Sequence, residues 1–207
     1  MARPRRDEID TRTTDRLLRA AEDAFGRGGF HGTRLEDIAR EAGIRRPSLL
    51  YHFGSKEALY ETVVRRAFAQ LGAALADAMR IEGPFEERAN GLISAFANFL
   101  EAHPGVAPLI LRELIGGRGP GHDILLAEIA PLIDATEAFV RAQQVVRPGV
   151  PVRLAVVQIA TSLLVRAAAG PLRDAFWGDV SETHALVHSL FEAGDTLADD
   201  GATARAS

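Results

Sequence analysis

Apolar residues recur every three or four positions along nearly the whole chain, and the alternation of Val, Ile and Thr that marks half-buried strands is scarce. Such a pattern buries one face of a helix and leaves the other to water, so it predicts an all-α fold. With 207 residues, 47% of them hydrophobic and 25% charged, the chain can bury a full core without covalent staples, which excludes general disorder and an extended coiled coil. It has no cysteine, and therefore no disulfide, thiolate zinc site or cysteine nucleophile.

Breakers divide the pattern. A first helix from Thr13 carries Leu17, Leu18, Ala21, Ala24 and Phe25 on one face and is expected to stop at Gly26-Arg27-Gly28-Gly29. Thr33 and Glu36 then have the spacing of a capping box, opening a short second helix that ends at Gly43. A third helix starts near Arg46 or Pro47, where a missing N–H costs nothing, and runs to Phe53. Ser55 is placed to cap a long fourth helix reaching towards Ile81. Gly83 and Pro84 separate it from a fifth that ends at His103, and further helices are expected around 106–115, 124–146, 152–169 and 181–197. The glycine-rich loop 116–121 lacks the Lys-Ser/Thr of a phosphate-binding loop.

Residues 33–53 thus form two short helices joined by a glycine-headed turn, the arrangement of a helix-turn-helix. Ile38, Ile44, Leu49 and Phe53 can hold this pair on the first helix, which turns Arg46, Ser48, Tyr51 and His52 outward, with side chains suited to bases and phosphates. Lys56, the single lysine, stands at the start of the fourth helix, where its charge adds to free backbone amides and the positive end of the dipole. The charge distribution is compatible: residues 1–66 hold 14 Lys and Arg against 11 Asp and Glu, a net +3, whereas the whole chain carries −4.

Residues 33–44 and 50–60 together closely resemble the DNA-binding domain of the tetracycline-repressor (TetR) family. The resemblance implies a homodimeric transcriptional regulator with a larger C-terminal domain that binds a small effector and supplies the dimer interface. Carried over by position, it assigns Thr33 to a cap near a backbone phosphate, Arg46, Ser48, Tyr51 and His52 to the recognition surface, and Lys56 to a phosphate. Two positions depart from the family pattern: Arg45 where serine often opens the turn, and Leu50 where tyrosine often follows the central leucine. Both are retained as DNA-facing candidates, Leu50 either packing inward or meeting a thymine methyl. The domain division that follows is an arm over 1–12, a DNA-binding domain over 13–60, an effector and dimerisation domain over 61–198 and a disordered tail over 199–207. Arg3, Arg5 and Arg6 are a minor-groove arm or a simple tail.

For the effector, Phe96, Phe99, His103, Leu111, Leu114, Phe139, Gln158 and Trp177 are the candidate contacts, and the ligand is expected to be largely apolar; for each apolar one, a place in the core is the simpler reading. The last two helices, apolar on more than one face, are expected to form a four-helix dimer interface, although periodicity alone equally allows a monomeric bundle. His184 and His188 have i, i+4 spacing without a helper carboxylate, so neither metal nor cofactor is expected. No carboxylate pair or nucleophile triad speaks for an enzyme, and a protein-binding adaptor remains the other alternative. Acidic residues Asp7, Glu8 and Asp10 interrupt any leader, and Gln158, Arg166, Gly170 and Pro171 break the most apolar stretch, so a cytoplasmic protein without a membrane span is expected.

Overall fold

A computed structural model describes residues 6–116, 121–143 and 149–191. The described residues form α1 (Arg6–Gly32), α2 (Leu35–Glu41), α3 (Arg46–Phe53), α4 (Lys56–Met79), α5 (Phe85–Ala102), α6 (Val106–Gly116), α7 (His122–Ala142), α8 (Val152–Ala168), a 3-10 turn (Gly170–Leu172), α9 (Arg173–Trp177) and α10 (Ser181–Phe191). No strand occurs among them, and no single helix among them is long and apolar enough to cross a membrane.

The N-terminal core is built as the periodicity requires. Leu17, Ala21 and Phe25 of α1, Ile38 of α2, Leu49 of α3 and Leu59 of α4 all lose essentially their entire surface to one cluster, and each leucine or phenylalanine contributes roughly 1.5–3 kcal/mol by leaving water. The fourth helix continues this core out of the N-terminal unit: Val63, Val64, Ala67, Phe68 and Leu71 are buried against α1, α5 and α7. Its start is fixed by Ser55, whose hydroxyl accepts the amide of Ala58 at 3.1 Å, as expected.

Three local expectations are corrected. The first helix begins at Arg6, inside the segment expected to be an arm, and reaches Gly32; glycines 26 and 28 do not end it, and it breaks only at Gly29, with φ 68° and ψ 177°. The capping box does not form, because Arg34 and not Thr33 is the residue before α2 and no side chain caps it. The Thr33 hydroxyl points back instead to the carbonyls of Ala24 (2.9 Å) and Gly29 (2.7 Å) near the end of α1. Between α8 and α10 lies an unexpected short helix, α9, set off by Gly170 and Gly178, both at positive φ. The arm residues Arg3 and Arg5, most of the loop 116–121 and the tail 199–207 lie outside the described residues, as does the last helix beyond Phe191.

Candidate nucleic-acid interface and effector cavity

The turn between α2 and α3 is closed by local hydrogen bonds, from the Gly43 amide to the Arg40 carbonyl (3.1 Å) and from the Ile44 amide to the Ala39 carbonyl (2.9 Å). Gly43 adopts φ 70°, a conformation that only glycine takes without steric cost. The third helix then has one anchoring residue, Leu49, which is fully buried; Ile44 and Phe53 are half-buried at its two ends. Arg45, Arg46, Ser48, Tyr51 and His52 are exposed on the outer side and Leu50 is half-buried, so packing consumes one narrow stripe and leaves the remainder to solvent. Tyr51 is 88% exposed and meets only the edge of the neighbouring His52 ring, at 5.7 Å. Arg46 is tethered to Glu36 of α2 at 3.2 Å.

Thr33, by contrast, is buried with its hydroxyl engaged inside the protein, and its side chain is not free to meet a phosphate. Lys56 is half-buried at the N-terminus of α4, its ammonium 4.6 Å from the centre of the Phe30 ring. This cation–π contact directs an otherwise flexible side chain. No local sequence signal marks Phe30, whose ring comes to lie beside Lys56 of α4 only because the chain breaks at Gly29. It stands edge-on to Tyr60 at 5.3 Å, and Tyr60 stands edge-on to Phe25 at 4.9 Å.

The Tyr60 hydroxyl crosses to the C-terminal domain, donating to Oε1 of the buried Glu113 at 2.7 Å. Burial, followed by this carboxylate, raises the tyrosine well above its ordinary pKa, so it remains a donor. Three more contacts join α1 to the region around α6. Arg112 donates to the carbonyls of Gly26 (3.3 Å) and Arg27 (2.9 Å). The backbones of Gly26 and Gly105 meet so closely that a Cβ on Gly26 would stand 2.4 Å from the Gly105 oxygen. His103 lies 3.1 Å from a Glu22 carboxylate oxygen, beside a polar cavity of about 80 Å³ shared with Arg19, Arg66 and Gln70.

Burial raises the Glu22 carboxyl above its ordinary value of 4.5, with Asp23 adding to the rise and His103 and Arg66 opposing it. Folding therefore increases proton affinity at this site, and in the window just above pH 4.5 the native state holds more protons than the unfolded chain. The contribution of Glu22 to stability is complete below that value and is lost as pH rises through the folded pKa. Melting curves across this window should show a shallower fall for Glu22→Gln than for the parent protein; identical slopes would remove Glu22 as the titrating group.

A second, larger cavity of about 260 Å³ lies in the C-terminal domain. Its wall comes from α4 to α8 and α10, for example Phe68, Phe96, Ile110, Leu132, Val156 and Val187. Of the expected contacts, Phe96 and Leu114 line it, and the other six do not. Phe99 is buried and stacks on His103, which turns to Glu22 because a carboxylate is available there. Leu111 packs on the core, Phe139 lies beneath the Arg88 guanidinium, Gln158 is exposed on the outer side of α8, and Trp177 stands on α9 edge-on to Phe176. His184 and His188 meet different partners, His184 lying 3.4 Å from the Ser94 hydroxyl and His188 3.7 Å from a Glu86 oxygen. Among the described residues no group of three or more candidate ligands surrounds a metal position.

Residues 17–63 match the family model described as bacterial regulatory proteins, tetR family. Residues 17–63 are thus similar to the DNA-binding module of that family. The matched span covers α2, α3 and the start of α4, including Lys56 and Tyr60. The chain is 35% identical to the HTH-type transcriptional regulator RutR of Escherichia coli over 124 residues, which are 60% of this chain and 58% of RutR. It therefore spans less than two thirds of that relative's length. The fold of the chain is similar to that of a TetR-like transcriptional regulator from a Rhodococcus species, with TM-score 0.69 and 22% identity over 91% of this chain and 96% of the other. The fold is also similar to that of the transcriptional regulator FadR of Bacillus subtilis in complex with stearoyl-CoA, with TM-score 0.69 and 15% identity over 86% and 97% of the two chains.

Proposed function

We propose that the protein is a ligand-responsive regulator of transcription, a repressor that binds a near-palindromic operator as a homodimer and is released by a small effector. The observation that carries this reading is the outer side of α3, where Arg45, Arg46, Ser48, Tyr51 and His52 face solvent above one buried leucine. Arg46, Ser48, Tyr51 and His52 read base edges in the major groove, with Arg45 and the half-buried Leu50 at the margins. Lys56, steadied on Phe30, contacts a phosphate without regard to sequence. Thr33 acts only indirectly, by holding the end of α1 in place.

The dimer forms through α8 and α10, whose exposed Leu154 and Leu186 supply apolar surface beyond what the core requires. The two recognition helices then enter successive major grooves about 34–36 Å apart. The effector is largely apolar and occupies the 260 Å³ cavity, a role supported by the wholly aliphatic and aromatic character of most of its wall. Helix α6 couples the two ends: Ile110 and Leu114 line the cavity, while Arg112 and Glu113 hold α1 and Tyr60. An effector that prefers the arrangement with α6 displaced shifts the population away from the DNA-competent state. The protein acts in the bacterial cytoplasm, where the chromosome lies, and the reading assigns it no catalytic step and no cofactor.

Selection of random duplex DNA on the purified protein should enrich one near-palindrome, and its affinity should fall steeply between 50 and 200 mM salt as about 6–10 phosphate contacts are screened. No enrichment at low salt, with a folded dimer present and apolar co-ligands supplied, would replace this function by that of a protein-binding adaptor.

A further inference from the structure

The wall of the large cavity carries no charged side chain, and its polar side-chain atoms are the hydroxyls of Thr136 and Thr161. The Thr136 hydroxyl already donates to the Leu132 carbonyl at 2.8 Å. A charged group cannot enter such a space unpaired, because the loss of hydration has nothing to offset it. Immediately beside the wall stands Arg88. On α5 it falls between Phe85 and Leu92, at i−3 and i+4, both of which line the cavity, and its guanidinium lies 4.6 Å from the centre of the Phe139 ring.

The surroundings of this guanidinium are incomplete. Nη1 donates to the Gln143 side-chain carbonyl (2.5 Å) and Nη2 to the Met79 main-chain carbonyl (3.1 Å), while Nε is buried with no acceptor. Both acceptors are neutral, and no carboxylate of the described residues lies within 4.0 Å of it. A half-buried cation with neutral partners and an orphan N–H favours an incoming anion, and the planar fork matches the two oxygens of a carboxylate. One of its present partners is a glutamine side chain, which a ligand can displace. Arg166 also has a buried Nε without an acceptor, but it lies near Asp179, whose carboxyl is lowered chiefly by hydrogen bonds from Ser181 and in smaller part by Arg166, so its charge is already balanced in part.

We propose that Arg88 receives the carboxylate head of a single-chain amphiphile whose apolar tail fills the cavity. The inference rests on the reading of that cavity as the effector site and adds the chemical class of the effector: one anionic end, one unbranched apolar end. A volume of about 260 Å³ lies just below the range of roughly 300–1,000 Å³ typical of small-molecule pockets, so it suits a tail of medium length.

The test uses the full-length protein at neutral pH, with displacement of the fluorescent apolar probe N-phenylnaphthylamine by decanoate, decanol and methyl decanoate. Decanoate should displace the probe at a concentration about tenfold or more below that of decanol, the advantage of a hydrogen bond to a charged partner. Arg88→Gln should reduce that preference to about twofold or less while decanol binds as before, and Arg88→Lys should retain part of it, since the charge stays and the fork is lost. Equal or tighter binding of decanol by the unaltered protein overturns the role of Arg88 whatever the variants do. Failure of the probe and of decanol to bind at all overturns the cavity reading itself, and the head-group inference falls with it.

Discussion

Replacing Tyr51 with alanine should leave the fold and the melting temperature unchanged and weaken the operator complex by about 5- to 150-fold per half-site, the equivalent of roughly 1–3 kcal/mol for a lost base contact. The side chain is 88% exposed and touches only the edge of His52, so its removal opens no cavity and strands no buried polar group. Exposed substitutions of this kind change stability by less than about 0.5 kcal/mol. The loss should be concentrated on the selected operator and small on unrelated duplexes. Lys56→Ala supplies the contrast: binding should weaken about equally on every sequence, and the salt slope should fall by about one. Fluorescence anisotropy on the selected operator and a scrambled duplex, at several salt concentrations, separates the two. Parent-like operator affinity for the Tyr51 variant would sink the assignment of the outer side of α3 as the reading surface.

The largest effect on stability is expected from the smallest substitution. Gly26→Ala adds one methyl group inside a helix, where exposed sites gain up to about 1 kcal/mol from the same change. At Gly26, however, the new carbon would lie 2.4 Å from the Gly105 carbonyl oxygen and 2.6 Å from its Cα. These are backbone atoms, which cannot swing aside, and the neighbouring Glu22 carbonyl already lies just as close to the Cβ direction of Gly105. The helices must separate, straining the Arg112 bonds to Gly26 and Arg27 and the His103–Glu22 contact. Overpacking of this kind costs about 1–3 kcal/mol, which for a chain of this size lowers Tm by roughly 2–12 °C. Gly91→Ala in α5 is the matched control. Nothing lies within 4 Å of its Cβ position, and it should raise Tm slightly. A Gly26 variant that melts at or above the parent temperature would show that the α1–α6 junction yields more easily than its geometry implies.

Legibility in the sequence followed the range of the interaction. The turn at Gly43, the Ser55 cap and the stripe that buries Leu49 while exposing Tyr51 depend on residues a few positions apart, and they read correctly. Thr33 had the right spacing for a capping box, but carbonyls of Ala24 and Gly29 compete for its hydroxyl once the chain breaks at Gly29. The glycines at 26 and 28 resembled a helix stop; one of them is instead an approach point for a segment 79 residues further on. Periodicity identified Phe99, Phe139 and Trp177 as apolar, yet it says which face a residue occupies and nothing of which helix that face will meet.

The all-helical class, the helix-turn-helix and the outward set on α3 are local properties of the chain, because helix propensity, caps and turns act through neighbouring residues. Packing between helices sets the rest: Lys56 rests on Phe30, Tyr60 joins Glu113, His103 belongs to Glu22 and not to the large cavity, and Arg88 lies over Phe139 with no carboxylate partner among the described residues. Each of these depends on the distance and direction between side chains on different helices, and helix packing sets those through the summed shape of the whole core.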